Sequence, residues 1–96
     1  MNIEEIQDIL ERGKTSLRDK YHIKKIGIFG SVVRGEENEK SDVDILVEFS
    51  KPISMFRFIE LEESLSALLK RKVDLVTRNA LKSAIKDSIL SEVRYV

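Results

Sequence analysis

Asp42 and Asp44 are separated by one residue at the head of a segment in which Val43, Ile45, Val47 and Phe49 are apolar. An extended chain turns alternate side chains to opposite faces, so both aspartates leave one face about 7 Å apart at Cα, close enough to converge on one divalent cation. Asp74, between Val73 and Leu75, repeats the arrangement and joins the pair if the two strands are neighbours. Three crowded carboxylates need a cation. Oxygen-only ligands favour Mg²⁺ or Mn²⁺, and two such ions held by shared carboxylates suit displacement at phosphorus. Gly30-Ser31 supplies the complementary part. A small-residue turn between a strand and a helix presents backbone N–H groups and a hydroxyl to phosphate oxygens.

Such residues work only if secondary structure places them. Asn2 and Glu5 have capping-box spacing, and Ile3, Ile6, Leu10 and Leu17 form one apolar stripe, which predicts a helix ending near Lys20. Ile23 to Phe29 reads as a buried strand with Ile26 and Ile28 on one face, and a short helix through Val32 and Val33 follows Gly30-Ser31. Gly35 to Lys40 has no apolar residue and reads as an exposed loop. The strand that carries the acids sets Val43, Ile45, Val47 and Phe49 against Asp42, Asp44, Leu46 and Glu48.

Pro52 ends that strand. Phe56, Ile59, Leu61, Leu65, Leu68 and Leu69 mark a second long amphipathic helix starting near Ser54. Lys72 to Thr77 reads as a third strand. Leu81, Ile85, Ile89 and Val93 recur every four residues, predicting a helix that runs to the end of the chain. This alternation predicts an α/β (α+β) domain with a small mixed sheet, helices on one face and the acids on the other.

Composition narrows the classes of function. The 96 residues suit a single domain spanning 1–96. Lys plus Arg number 17 and Asp plus Glu 17, for zero formal charge, which argues against direct nucleic-acid binding. With no cysteine and one histidine, thiolate nucleophiles, zinc-thiolate sites and multi-histidine metal cages are excluded. The apolar runs fall far short of the roughly 20 residues that span a bilayer, so no membrane association is expected. The N-terminus has neither the basic flank nor the apolar stretch of a signal peptide, which places the chain in the cytoplasm.

Other conspicuous residues have plain readings. Arg34 beside Glu36, Glu37 and Glu39 reads as a solvated ion pair rather than a triphosphate ligand. His22 reads as an exposed connector, and Lys14, Arg18 and Lys20 as cations at a helix C-terminus. Met55, Phe56, Phe58 and Ile59 are apolar almost without interruption, as a helix side covered by core or by another chain would be.

Gly30-Ser31-Val32-Val33-Arg34-Gly35, Ser41 to Val47, and Val73 to Thr77 resemble the minimal nucleotidyltransferases (MNT) of the DNA polymerase beta superfamily. The likeness extends to the chain end at Ile89 to Val96. It implies that Asp42 and Asp44 bind the metals, that Asp74 is the third carboxylate helping to activate the nucleophile, and that Gly30 and Ser31 hold the nucleotide triphosphate. It also implies the nucleotidyltransferase fold and transfer of AMP from ATP, with Mg²⁺ or Mn²⁺, to a hydroxyl acceptor. Similar MNT proteins are antitoxins paired with HEPN ribonuclease toxins, some silenced by adenylylation of a tyrosine. A helical HEPN-type toxin bound as a hetero-oligomer is therefore the expected partner. Two other readings stay open: a non-catalytic antitoxin or regulatory module acting by contact, and the catalytic subunit of a small-molecule or RNA nucleotidyltransferase.

Overall fold

A computed structural model describes residues 2–36 and 41–96. The polar stretch Glu37–Lys40, most of the expected loop, lies outside the described residues. The chain runs through α1 (Ile3–Tyr21), β1 (Ile23–Phe29), α2 (Ser31–Arg34), β2 (Val43–Phe49), α3 (Met55–Leu69), β3 (Val73–Thr77), α4 (Ser83–Glu92) and β4 (Arg94–Tyr95), with a 3-10 turn at Arg78–Ala80.

The capping box forms as its spacing predicts. The Glu5 N–H donates to Asn2 Oδ1 at 2.9 Å, and the Asn2 N–H points back to Glu5 Oε1 at 3.5 Å. At the far end His22 adopts φ 57°, and its N–H bonds the Arg18 carbonyl, while Arg18 and Lys20 lie in the last turn. Cations there complement the exposed carbonyls. The α3 helix starts at an equally plain signal: Ser54 Oγ accepts the Arg57 N–H at 3.2 Å. The two long helices are tied by Tyr21, whose hydroxyl donates to Glu60 Oε1 at 3.1 Å and lies 3.3 Å from Ser64 Oγ.

Strand order is β3-β2-β1-β4. The β1–β2 and β1–β4 pairs are antiparallel, and β2–β3 is parallel, a pairing that demands a crossover, here α3. Ile26 and Ile28 of β1, Val43, Ile45 and Val47 of β2, and Val73 and Leu75 of β3 pack with Ile6 and Leu10 of α1 and Leu61, Leu65 and Leu69 of α3. That layer is the expected core, formed by one alternate set of strand positions. Burying each large aliphatic side chain contributes about 1.5–3 kcal/mol, so the helices are held chiefly by this face.

Two expectations need correction. Leu46, placed with the acids on the open face, is buried. Its ladder partner is Gly27, where a Cβ would come within 2.7 Å of Val93 Cγ2, so the C-terminal segment lies against this part of the second face. The chain end is also not helical throughout: α4 stops at Glu92, Val93 is extended, and Arg94 and Tyr95 pair with Ile28 and Gly27. The four-residue spacing of Leu81, Ile85, Ile89 and Val93 mimics a helix past its true end. Once Val93 reaches the β1 edge, ladder hydrogen bonds and contact over Gly27 replace one more helical turn. Among the described residues no helix is long and apolar enough to cross a membrane.

Candidate active site

The acids meet at one end of the sheet. Asp44 is the second residue of β2, and its ladder partner on β3 is Asp74, so these carboxylates rise from strands roughly 4.8 Å apart. On its other side Asp44 pairs with Phe29, the last residue of β1. The chain there turns through Gly30 into α2, so the turn and the acids share one edge. Gly30 adopts φ 81°, and a Cβ in its place would overlap Asp44 Oδ2 and lie 2.9 Å from Asp44 Cγ. Only glycine allows both the left-handed backbone and this approach. Ser31 is the first residue of α2.

Asp42 stands one residue before β2 and is half-buried. Its carboxylate has Lys72 Nζ at 3.8 Å, with Lys72 largely exposed, a surface pair worth little. The electrostatics converge on Asp44. Burial first, then the charges of Asp74 and Asp42, push its carboxyl up to about 6; Glu92 adds to the rise and Arg34 opposes it. The sequence-predicted acids therefore form one interacting group. Among the described residues no set of three acid groups is already close enough to cage a metal ion. The donor set nevertheless fits a hard cation, since every donor is a carboxylate oxygen and the charges of Asp74 and Asp42, which add to the rise that burial gives Asp44, are what such a cation relieves.

Two concavities are found elsewhere, one lined by Val47, Glu48, Thr77 and Arg78 and one by Phe49, Met55, Phe58 and Leu75, both toward the far ends of β2 and β3.

Residues 10–96 match the model of the nucleotidyltransferase domain. The chain belongs to that family. Protein adenylyltransferase MntA of Thermococcus cleftensis is 52% identical over 96 residues, covering 100% of this chain and 97% of that protein. A relative from Methanocaldococcus jannaschii is 52% identical over 95 residues, covering 98% and 97%. A solved structure described as a minimal nucleotidyltransferase superposes with a TM-score of 0.82 at 31% identity, over 98% of this chain and 95% of that one. The MNT antitoxin bound to a tri-AMPylated Shewanella oneidensis HEPN toxin shares the fold, with a TM-score of 0.68 at 22% identity over 94% and 70%. These matches bear out the resemblance read from Gly30-Ser31, Asp42-Val43-Asp44 and Asp74.

Sequence reasoning missed one residue of this nucleotidyltransferase domain. Glu92 ends α4, and its Oε1 accepts the Gly30 N–H at 2.9 Å and Arg34 Nη1 at 3.2 Å. Arg34 also pairs with Glu36 at 3.2 Å, so the ion-pair reading of Arg34 holds, with a second partner it did not include. The sequence carried no independent signal for Glu92. It becomes readable only once the helix end is known: an acid in the last turn opposes the helix macrodipole, and α4 has no basic residue there, so a partner from elsewhere is favourable for Glu92. The reading of His22 also holds, as an exposed helix cap. Met55 and Phe56, expected to be covered by core or by another chain, are exposed, so the core of this chain does not cover them.

Proposed function

We propose that this chain transfers AMP from ATP to a hydroxyl on a partner protein, a tyrosine of a HEPN-type toxin, and acts as the antitoxin of that toxin. The observation that carries the reading is the register pairing of Asp44 with Asp74 on an edge shared with Asp42 and the Gly30-Ser31 turn. Whole-length similarity to a protein adenylyltransferase supports the same chemistry.

In this reading Asp42, Asp44 and Asp74 hold Mg²⁺ or Mn²⁺, which when bound neutralises the triphosphate and lowers the pKa of the acceptor hydroxyl. Ser31, through its hydroxyl and the backbone of its turn, orients the phosphates. The acceptor oxygen forms a bond to the α-phosphorus, the bond from that phosphorus to the bridging oxygen breaks, and pyrophosphate leaves. Asp74, exposed at the edge, takes the hydroxyl proton as general base. Burial first, and then the charges of Asp74 and Asp42, disfavour the ionised form of Asp44, and a cation would offset that cost.

In this reading the acceptor arrives on a second protein, as the similarity to a protein adenylyltransferase supports. Met55 and Phe56 of α3 are 70% and 86% exposed, an apolar patch suited to a helical partner. The deciding experiment mixes the purified chain, its co-purifying partner, labelled ATP and Mg²⁺, and weighs the partner by mass spectrometry. One or more added AMP units, lost with Asp44→Ala although the complex persists, is the expected result. Full neutralisation of the partner by Asp44→Ala, with no nucleotide on it, would refute catalysis and leave a module that acts by contact.

A further inference from the structure

The nucleotide turn is built on a helix that cannot hold itself. Four residues, Ser31–Arg34, make up α2, fewer than the first turns of an isolated helix need to persist in water. Gly30 caps it with no side-chain hydrogen bond. Its intrinsic bonds are short-range: the Val33 and Arg34 N–H groups both donate to the Gly30 carbonyl, at 3.1 and 3.2 Å. The Glu36 N–H closes the segment on the Ser31 carbonyl at 2.9 Å, again a local bond, so a contact from outside the segment adds to what orients it.

One side chain grips this segment at both ends. Glu92 Oε1 accepts the Gly30 N–H at 2.9 Å, at the start of the segment, and both Glu92 oxygens lie 3.2 Å from Arg34 Nη1, at its finish. Glu92 is the more sequestered partner, with 22% of its side chain exposed against 47% for Arg34. Charged hydrogen bonds of this kind are stronger and more directional than neutral ones. Glu92 is itself well placed. Two residues on, Arg94 enters the ladder with Ile28, beside the pair of Tyr95 with Gly27, and the missing Cβ of Gly27 admits Val93. The sheet thus fixes the backbone on which Glu92 stands, independently of the loosely packed body of α4, which has no buried residue.

We propose that Glu92 is the positioning residue of the nucleotide turn, clamping Gly30 and Arg34 so that Ser31, between them, keeps a fixed orientation. The inference rests on the reading of Gly30-Ser31 as the triphosphate-binding turn. Glu92 acts through Gly30 and Arg34 and takes no part in bond making. Its loss lets the turn sample other orientations, which is felt when the triphosphate binds and not when the protein acceptor docks.

The test uses the chain with its natural partner and MgATP. Glu92→Ala is expected to raise KM for ATP about tenfold or more, leaving KM for the acceptor protein unchanged. Glu92→Gln keeps an oxygen for the Gly30 N–H and the side-chain volume, and is expected to fall between Glu92→Ala and wild type. In the free protein the Gly30 amide proton resonance should move upfield in Glu92→Ala and less in Glu92→Gln, a readout that needs no activity. A KM for ATP within about twofold of wild type in both variants, or an unmoved Gly30 resonance, overturns the clamp. Asp44→Asn is run in parallel. If it transfers AMP like wild type, the site reading itself fails, whereas loss of transfer there beside an unaffected Glu92→Ala removes only the clamp.

Discussion

Asp44→Asn separates the electrostatic cost of the site from its purpose. The Asp44 carboxyl is raised from 3.8 to about 6, by burial first and then by Asp74 and Asp42. A raised carboxyl pKa means that the folded state holds the proton more tightly than the unfolded chain, so ionisation is a burden on folding. The burden is absent below pH 3.8, grows between 3.8 and about 6, and is constant above. A difference of about two pH units corresponds to about 3 kcal/mol, and partial solvent exposure of Asp44 reduces this to about 1–2 kcal/mol. The amide is nearly isosteric and uncharged, so Asp44→Asn should stabilise the metal-free protein by that amount at pH 7.5. At about 4–8 °C per kcal/mol for a domain of this size, the increase in Tm is easily seen by calorimetry. The gain should shrink steadily as pH falls through the window from about 6 to 3.8. Mg²⁺ with ATP should stabilise wild type and not the variant. A Tm difference that is zero at pH 7.5, or that does not change between pH 7.5 and 4, would refute the crowded-carboxylate account.

Mg²⁺ and ATP together should stabilise wild type more than either alone, because the triphosphate completes a shell that the carboxylates leave open; thermal shift should show this synergy lost in Asp42→Asn. Gly30→Ala should lose transfer and cost at least about 1–2 kcal/mol from the left-handed backbone alone, with overlap against Asp44 added; urea unfolding and the AMP-transfer assay check both. Phe56→Ser should leave Tm within about 2 °C of wild type, since surface changes are small, yet weaken the partner complex in a calorimetric titration. Leu65→Ala, at a fully buried position, should cost about 2–5 kcal/mol, measured by urea unfolding, while leaving KM for ATP unchanged.

The local signals were legible because each is made within a few residues. Asn2 with Glu5, Ser54 before Arg57, and the alternation of Val43, Ile45 and Val47 each state their structure without help from the rest of the chain. The candidate site was legible for a related reason. Asp42 and Asp44 share a strand, Asp74 follows one crossover later, and a parallel pairing across a helix is the ordinary way to join such strands. What remained hidden depends on contacts between distant segments. Burial of Leu46 is paired with the missing Cβ of Gly27 and the approach of Val93, which no periodicity records. The short strand at Arg94–Tyr95 replaces helix only because the β1 edge is there to receive it.

The late-chain error and the missed Glu92 have one origin, and it bears on how this small domain builds its site. A helix drawn to the chain end makes Glu92 one more solvated acid on a repeating face. Stopping the helix at Glu92 and returning the next residues to the sheet turns the same side chain toward the Gly30 turn. The site then draws on the ends of three consecutive ladder neighbours: Asp74 from β3, Asp44 from β2 and Gly30 after β1. Glu92, just before the fourth strand, grips the turn. A sheet carries such an arrangement well, because ladder hydrogen bonds hold neighbouring strand ends in register more tightly than loops could. The proposed site therefore stands on strand ends, while the exposed apolar residues of α3 are displayed on a different element. Binding of a partner and transfer to it can consequently be removed by separate substitutions.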